Sequence, residues 1–360
     1  MIYIHVPFCR SFCTYCDFYS EIACRGRDAE EMDAYLSGIC DEIEARRTGI
    51  EAASECNTLY IGGGTPSVLP LSCLGQIVNC IGFPPFDEFT MEVNPEDIVE
   101  NGPAYLHGLA DLGVNRVSMG VQSLDDGILR WMNRRHDADG ARAAFKMLRA
   151  GGVRNVSVDI IFGLSQLSLQ TLAATLDEII LWHPEHVSAY QLSIEDGSAL
   201  AGMVSAGKYA EASDDQCAEQ YLLVCERLRE AGYDHYEISN WALPGFEAIH
   251  NSAYWNRTPY VGLGPGAHSF SGSIRSWNSR HLSGWKRTEE ILSGDEEREE
   301  KIMLGLRTAR GIPASLCSPE TVGRLVSEGA LSVIRLQGED FIRIPEDRFF
   351  VSDDIIDELV

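Results

Sequence analysis

Three cysteines, Cys9-x3-Cys13-x2-Cys16, follow directly on the short apolar run Ile2–Val6 at the start of a 360-residue chain. Two chemistries use thiols at this spacing. A cubane of four irons takes three thiolates and leaves its fourth iron open to a chelating small molecule. A zinc ion would take the same three sulfurs and a fourth ligand, for which His5, four residues before Cys9, is at hand. Local spacing favours the cluster. A second element, Gly62-Gly63-Gly64-Thr65-Pro66, follows the next β-rich run. Consecutive glycines let backbone N–H and C=O groups come close to a ligand, although a triple glycine alone is more often a tight turn. Glu92, Gln122, Arg134 and Asp159 stand at or beyond the ends of later runs. Singly, each reads as a satisfied core or surface group; together they fit one functional rim.

These residues need elements to position them. Six β-rich runs, Ile2–Val6, Thr58–Ile61, Phe89–Val93, Arg116–Gly120, Val156–Ile161 and Val187–Leu192, are each followed by a helical pattern. Such alternation predicts an α/β fold, a partial (β/α)6 barrel with its chemistry at the strand ends. Asp28 with Glu31 forms a capping-box pattern ahead of Met32, Tyr35, Leu36, Ile39 and Ile43. Pro103 and Gly113 bracket another helix, and Ser168 caps one running through Ile180. After Trp241 the rhythm stops, and Pro244 to Ser283, rich in Gly, Ser, Asn, Pro and aromatics, reads as an ordered connection. From Glu296 a helix, a Ser318-Pro319 helix start, a β-ribbon at Gln337-Gly338 and a final helix predict a small winged-helix-like α+β domain. The expected division is 1–243, 244–295 and 296–360.

A formal net charge of -25 argues against a nucleic-acid partner, because phosphate binding needs neutralising Lys and Arg. The C-terminal unit repeats that bias, with 8 Lys and Arg against 14 Asp and Glu from Glu296 onward, so DNA binding is not its expected use. With a strand starting at Ile2 and no run of transmembrane length, neither a leader nor a membrane span is expected, and the compartment is cytoplasmic. The 11 cysteines are expected to be reduced. Cys24, Cys40, Cys56, Cys73, Cys80, Cys217, Cys225 and Cys317 lack ligand spacing and read as buried thiols, with Cys24 the least certain. Gly262-x-Gly264-x-x-Ala267 mimics a dinucleotide fingerprint, but Pro265 interrupts the turn.

The cysteine string and glycine loop together resemble the radical S-adenosylmethionine (SAM) superfamily. The resemblance implies a 4Fe–4S cluster on Cys9, Cys13 and Cys16, SAM at the open iron, and electron transfer that cleaves SAM to a radical. Tyr3-Ile4-His5-Val6-Pro7-Phe8-Cys9, Met91-Glu92-Val93-Asn94-Pro95, Gly120-Val121-Gln122-Ser123 and Asp159-Ile160-Ile161-Phe162-Gly163-Leu164 resemble the oxygen-independent coproporphyrinogen III dehydrogenase branch. That implies SAM contacts from Tyr3, Gly63, Gly64, Thr65, Glu92, Gln122, Arg134 and Asp159, with Tyr15 near the adenosyl group.

Within the branch, three features resemble the HemW-type heme chaperones rather than the dehydrogenase. Asp17-Phe18 replaces the dehydrogenase's extra cysteine, no N-terminal cover precedes Tyr3, and His250-Asn251-Ser252-Ala253-Tyr254-Trp255 matches the HNxxYW string. Gly262-Leu263-Gly264-Pro265-Gly266-Ala267-His268-Ser269 continues that match. The resemblance implies heme as cargo, delivered to recipient hemoproteins, membrane respiratory enzymes among them, with an electron donor for the cluster. His250 would serve as a heme ligand and Tyr254 and Trp255 as flat apolar surface. From chemistry alone, a structural tie fits the string equally well. His268 and His281 are further candidate ligands, and Arg257, Arg280 and Lys286 candidate propionate partners. No catalytic residue is assigned. The competing functions are coproporphyrinogen III decarboxylation and another SAM-dependent tetrapyrrole reaction.

Overall fold

Along the six strands, polar and apolar side chains alternate, and that period of two decides the architecture. The computed structural model describes residues 1–22, 28–53, 56–82 and 85–360. The strands are β1 (Ile2–Val6), β2 (Thr58–Gly63), β3 (Glu88–Val93), β4 (Arg116–Gln122), β5 (Val156–Phe162) and β6 (His186–Gln191). Ile4, Ile61, Met91, Met119, Val158 and Val187 belong to the buried core. The alternate residues Tyr60, Glu92, Arg116, Ser118, Asp159 and Ser188 line a cavity on the other face. The sheet's apolar face thus packs on the helices, and its inner face encloses a polar space rather than the branched apolar layers of a closed barrel.

The helices include α1 (Asp28–Ala45), α2 (Leu71–Ile81), α3 (Pro95–Asp111), α4 (Asp126–Trp131), α5 (Ala138–Ala150), α6 (Leu169–Trp182) and α7 (Asp214–Glu230). Ser168 caps α6 as expected, accepting from Thr171 N at 3.1 Å. Gly113 lies past the end of α3 with φ 94°. That helix starts earlier than its sequence pattern suggests, because Gly102 (φ 73°) only kinks it before Pro103 restarts the turn. The expected Asp28 cap involves a side chain outside the described residues, as does Cys24.

The strand rhythm does not stop at Trp241. β7 (Asp234–Glu237) and β8 (Asn240–Ala242) form a hairpin antiparallel to β6. β9 (Val261–Leu263), inside the expected connection, lies parallel to β1. The resulting nine-stranded order is β9-β1-β2-β3-β4-β5-β6-β8-β7. These three strands are short, and β9 is set among glycines, so they carry little period-two signal. The chain continues through α8 (Ile249–Trp255) and a small antiparallel sheet of β10 (His268–Ser271), β11 (Ile274–Asn278) and β12 (Arg287–Ile291). The C-terminal unit runs α9 (Gly294–Leu306), β13 (Ile312–Pro313), α10 (Pro319–Ser327), β14 (Ser332–Leu336), β15 (Glu339–Arg343) and α11 (Ser352–Asp357). Its sheet order is β13-β15-β14, the winged-helix-like arrangement expected. Gln337 and Gly338, at φ 51° and 90°, make the ribbon turn.

The expectation that the non-ligand cysteines are mostly buried thiols needs correcting for two of them, because Cys40 of α1 and Cys80 of α2 form a disulfide. The two residues are 40 apart in sequence, and only the packing of α1 on α2 brings their Cα atoms to 5.8 Å.

The late part of the chain is fastened to α1 through one carboxylate. Glu42 accepts from Gly264 N, Asn278 Nδ2 and Trp285 Nε1, each at 2.8 Å. Glu42→Ala strands three donors and is expected to destabilise the fold by about 3 kcal/mol. Urea unfolding of the purified variant measures this; a loss below about 1 kcal/mol contradicts the fastening.

Candidate functional site

At the C-terminal ends of β1 to β6 lies a cavity of about 990 Å³. One wall is the loop after β1, which carries Cys9, Cys13 and Cys16 as half-buried free thiols. This loop is pinned from several sides: Thr14 N donates to Met132 O at 3.0 Å, and Leu200 N donates to Thr14 O at 2.9 Å. The glycine loop is stitched to its base, with Gly64 N on Val6 O at 2.8 Å and Thr65 N on Phe8 O at 2.7 Å. A Cβ on Gly64 would lie 2.7 Å from Phe8 O and 2.8 Å from Val6 O, so only glycine permits this approach.

Side chains then close a chain between two cysteines. Cys13 Sγ lies 3.4 Å from Arg134 Nη1, and Arg134 Nη2 donates to Asn94 Oδ1 at 2.6 Å. Asn94 Nδ2 donates to Thr65 Oγ1 at 3.2 Å, and Thr65 Oγ1 lies 3.4 Å from Cys9 Sγ. Asn94 occupies the N-cap position of α3 without capping it, because its side chain is spent here.

Burial pushes the Cys9 thiol up and the Cys16 thiol up to about 12. Thiolates in this wall therefore need positive charge beside them, which Arg134 and a bound metal centre both supply. Three open thiols around one cavity, with the buried Arg134 Nε still unpartnered, fit a cluster with one iron free for a further ligand. The zinc alternative loses its fourth ligand. His5 Nδ1 lies 3.1 Å from Tyr3 OH, and Nε2 lies 2.8 Å from Tyr19 O. Among the described residues, no group of three or more His, Cys, Asp and Glu side chains is gathered as a single-ion site.

Below the cysteine wall sit two half-buried acids. Glu92 accepts from Tyr60 OH at 2.7 Å and from Gly63 N at 3.0 Å, and burial pushes its carboxyl up to about 7. Asp159 accepts from Ser118 Oγ at 2.8 Å and Ser157 Oγ at 3.0 Å, and burial raises it as well. Gln122 has φ 66°, and the β4–β5 register shifts between Gly120 and Gln122, a bulge that re-aims its side chain. Fixed donors, acceptors and acids thus surround a space able to hold a polar, amine-bearing ligand.

Cys9, Cys13, Cys16, Tyr15, Gly63, Gly64, Thr65, Glu92, Gln122, Arg134 and Asp159 all line this one cavity. Tyr3 does not: its hydroxyl is turned onto His5, and its ring stands 6.0 Å from that of Tyr60. Asn94, Tyr60, Arg116 and Asn251 line the cavity but were not singled out by motif. For Arg116 a signal is present, since it shares the polar phase of its strand with Gln122, and Tyr60 shares its phase only with Gly62 of the glycine string.

The expected role of His250 is corrected by its surroundings. Glu88 of β3 accepts from the backbone N–H of Ile249 at 2.8 Å and His250 at 3.0 Å. The His250 ring is fully buried, with Thr58 Oγ1 2.9 Å from Nδ1 and Tyr254 OH 3.1 Å from Nε2. Burial lowers its pKa to about 3, so the imidazole is neutral with both nitrogens occupied. Tyr254 packs edge-on to Tyr260 at 4.7 Å, and the Arg307 guanidinium covers Trp255 at 5.0 Å. In this fold the three motif aromatics hold α8 in place, and His250 has no free ring nitrogen, while Tyr254 and Trp255 stay half-buried. Arg257 is likewise spent, 3.0 Å from Glu300. His268, His281, Arg280 and Lys286 remain exposed, and Arg280 lines the cavity.

Residues 3–179 match the family model described as Radical SAM superfamily. The chain is 34% identical over 331 residues to the heme chaperone HemW of Mycobacterium tuberculosis (strain ATCC 25618 / H37Rv), covering 87% of this chain and 82% of that protein. It is 31% identical over 322 residues to the heme chaperone HemW of Lactococcus lactis subsp. lactis (strain IL1403), covering 86% and 82%. The structure is similar to that of Escherichia coli coproporphyrinogen III oxidase (HemN), with TM-score 0.81 and 20% identity over 99% of this chain and 89% of that one. At that identity, the last similarity speaks for the fold alone.

Because the Glu92 carboxyl is pushed up to about 7 by burial, ionising it works against the ligand-free fold. The folded state holds that proton more tightly than the unfolded state, so this contribution to stability falls as pH rises from about 4.5 to about 7. Glu92→Gln is expected to gain stability relative to the native chain between pH 5 and pH 8, by on the order of 3 kcal/mol. Denaturant unfolding at both pH values checks this, and an unchanged difference rejects it.

Proposed function

We propose, since the chain belongs to the HemW-type heme chaperones of the radical SAM superfamily, that it binds a 4Fe–4S cluster and SAM and passes heme to recipient hemoproteins. The observation that carries the reading is one cavity in which three free thiols, a close-packed glycine loop and two half-buried acids converge. Cys9, Cys13 and Cys16 would hold the cluster, and Arg134, within 3.4 Å of Cys13 Sγ, would offset its negative charge. When bound, the cluster supplies an electron for reductive cleavage of SAM. Gly63, Gly64 and Thr65 would present backbone groups to the methionyl end of SAM. Glu92 and Asp159 are held by Tyr60 and the strand serines with lone pairs left for its N–H and O–H groups. Tyr15 and Gln122 would close the adenosyl side.

The chaperone reading is favoured over decarboxylation by relatives at 31–34% identity and by Phe18, 65% exposed at the cavity rim where the dehydrogenase pattern has a cysteine. With His250 tied down, the exposed candidates for a heme ligand are His281 and, taken first, His268. It is exposed, stacked on Trp277 at 6.2 Å, and lies within electrostatic reach of Arg280. Arg280, which lines the cavity, and Lys286 would meet a propionate that stays near the opening. No described helix is long and apolar enough to cross a membrane.

Reconstituted anaerobically and incubated with SAM, a reductant and coproporphyrinogen III, the protein is expected to yield no protoporphyrinogen IX on chromatography. A variant with Cys9, Cys13 and Cys16 changed to Ala should lack the brown chromophore. Stoichiometric decarboxylation would replace the chaperone by the enzyme.

Heme titration followed by absorption is expected to separate the histidines. His268→Ala should weaken binding about tenfold or more and shift the heme band. His250→Ala should bind heme as the native chain does while losing about 2 kcal/mol of stability. Loss of heme in His250→Ala with stability intact would return the ligand to the HNxxYW string.

A further inference from the structure

Within the barrel, one cation lacks a counter-ion in direct contact. Arg116 opens β4, is 1% exposed, and lines the cavity. Among the described residues it makes a single hydrogen bond, Nη1 to Thr90 Oγ1 at 3.4 Å, and its buried Nε has no partner. Strand register places it deep: Arg116 pairs with Thr90, whereas Glu92, at the level of the glycine loop, pairs with Ser118.

A guanidinium stays charged when buried and presents five N–H donors in a fixed fork, so leaving most of them dry is costly. The nearby acids do not meet it. Glu92 is engaged by Tyr60 and Gly63, and Asp159 by Ser118 and Ser157. Glu88 is engaged by the first N–H groups of α8. No carboxylate oxygen of the described residues forms an ion pair with Arg116. Asn251 lines the same cavity from α8, next to the buried His250, and its side-chain amide makes no hydrogen bond within the described protein.

We propose that Arg116, assisted by Asn251, forms a carboxylate-binding subsite at the inner end of the cavity, beneath the level of Glu92. The planar fork matches a carboxylate bidentately, and the Asn251 amide can donate to the same group. The carboxylate arrives either on a porphyrin, as a propionate, or as a free short-chain acid. The first source rests on the heme-carrying reading; the subsite itself does not.

The test uses the full chain with its cluster reconstituted. In one arm, hemin and hemin dimethyl ester, which lacks the carboxylates, are titrated into native protein, Arg116→Gln and Arg116→Lys. In the other, thermal unfolding is followed with propionate or succinate replacing chloride at equal ionic strength. A propionate source predicts that native protein prefers hemin over the ester by about thirtyfold and that Arg116→Gln abolishes the preference. Arg116→Lys, which keeps charge without the fork, should lose most of it. A free acid predicts no hemin preference but a rise in melting temperature with carboxylate that Arg116→Gln removes. Carboxylate effects absent from native protein, or equally large in Arg116→Gln, overturn the subsite. If native protein binds neither hemin form, the chaperone reading fails and the unfolding arm still decides. Should Arg116→Gln not fold, Arg116→Lys decides by the same criteria, and should that also unfold, native carboxylate response alone does.

Discussion

The close backbone contact between the glycine loop and the base of the cysteine loop is the constraint on which the site depends. Gly64 and Thr65 donate to Val6 and Phe8 across a gap that no Cβ fits. That contact fixes where the cysteine loop leaves β1. It also sets Thr65 within 3.4 Å of Cys9, where the side-chain chain through Asn94 and Arg134 can return to Cys13. Two loops separated by some fifty residues thereby become one rigid wall, and a metal centre held there would inherit a preorganised frame rather than order a mobile one.

The second determinant is the phase of the strands. Because the apolar positions face the helices, the inner positions are free to be polar, and they are so throughout β2 to β6. Buried acids, serines and one arginine inside a barrel raise the cost of folding, since each must be hydrogen-bonded or carry a shifted protonation state. The raised Glu92 and Asp159 carboxyls show that cost directly. Such an interior shapes a ligand space at a cost to the stability of the sheet.

The HNxxYW helix adds a floor to this space. Glu88 holds its first turn, Thr58 and Tyr254 hold His250, and Asn251 alone reaches the cavity. On its far side, Trp255 lies under Arg307, whose carbonyl accepts from Ile238 N at 3.1 Å. The motif thus connects the cavity floor to the β7 edge of the sheet and to the start of the C-terminal unit.

The cysteine spacing, the triple glycine and the βα rhythm determined the fold class and two loops of the cavity wall, because each is a local pattern with a local physical cause. Strand periodicity also holds a clue to Arg116, in the same phase of its strand as Gln122, and to Tyr60, in the phase of Gly62. What the tertiary structure decided were the long-range partnerships. The pairing of β9 with β1 and of Cys40 with Cys80 depends on which surfaces meet, and short or unspaced segments carry no trace of it. The fate of His250 is of the same kind. Its residue type permits a metal ligand or a buried tie equally, and only the arrival of Thr58 from 192 residues away, with Tyr254 one helical turn on, occupied both nitrogens.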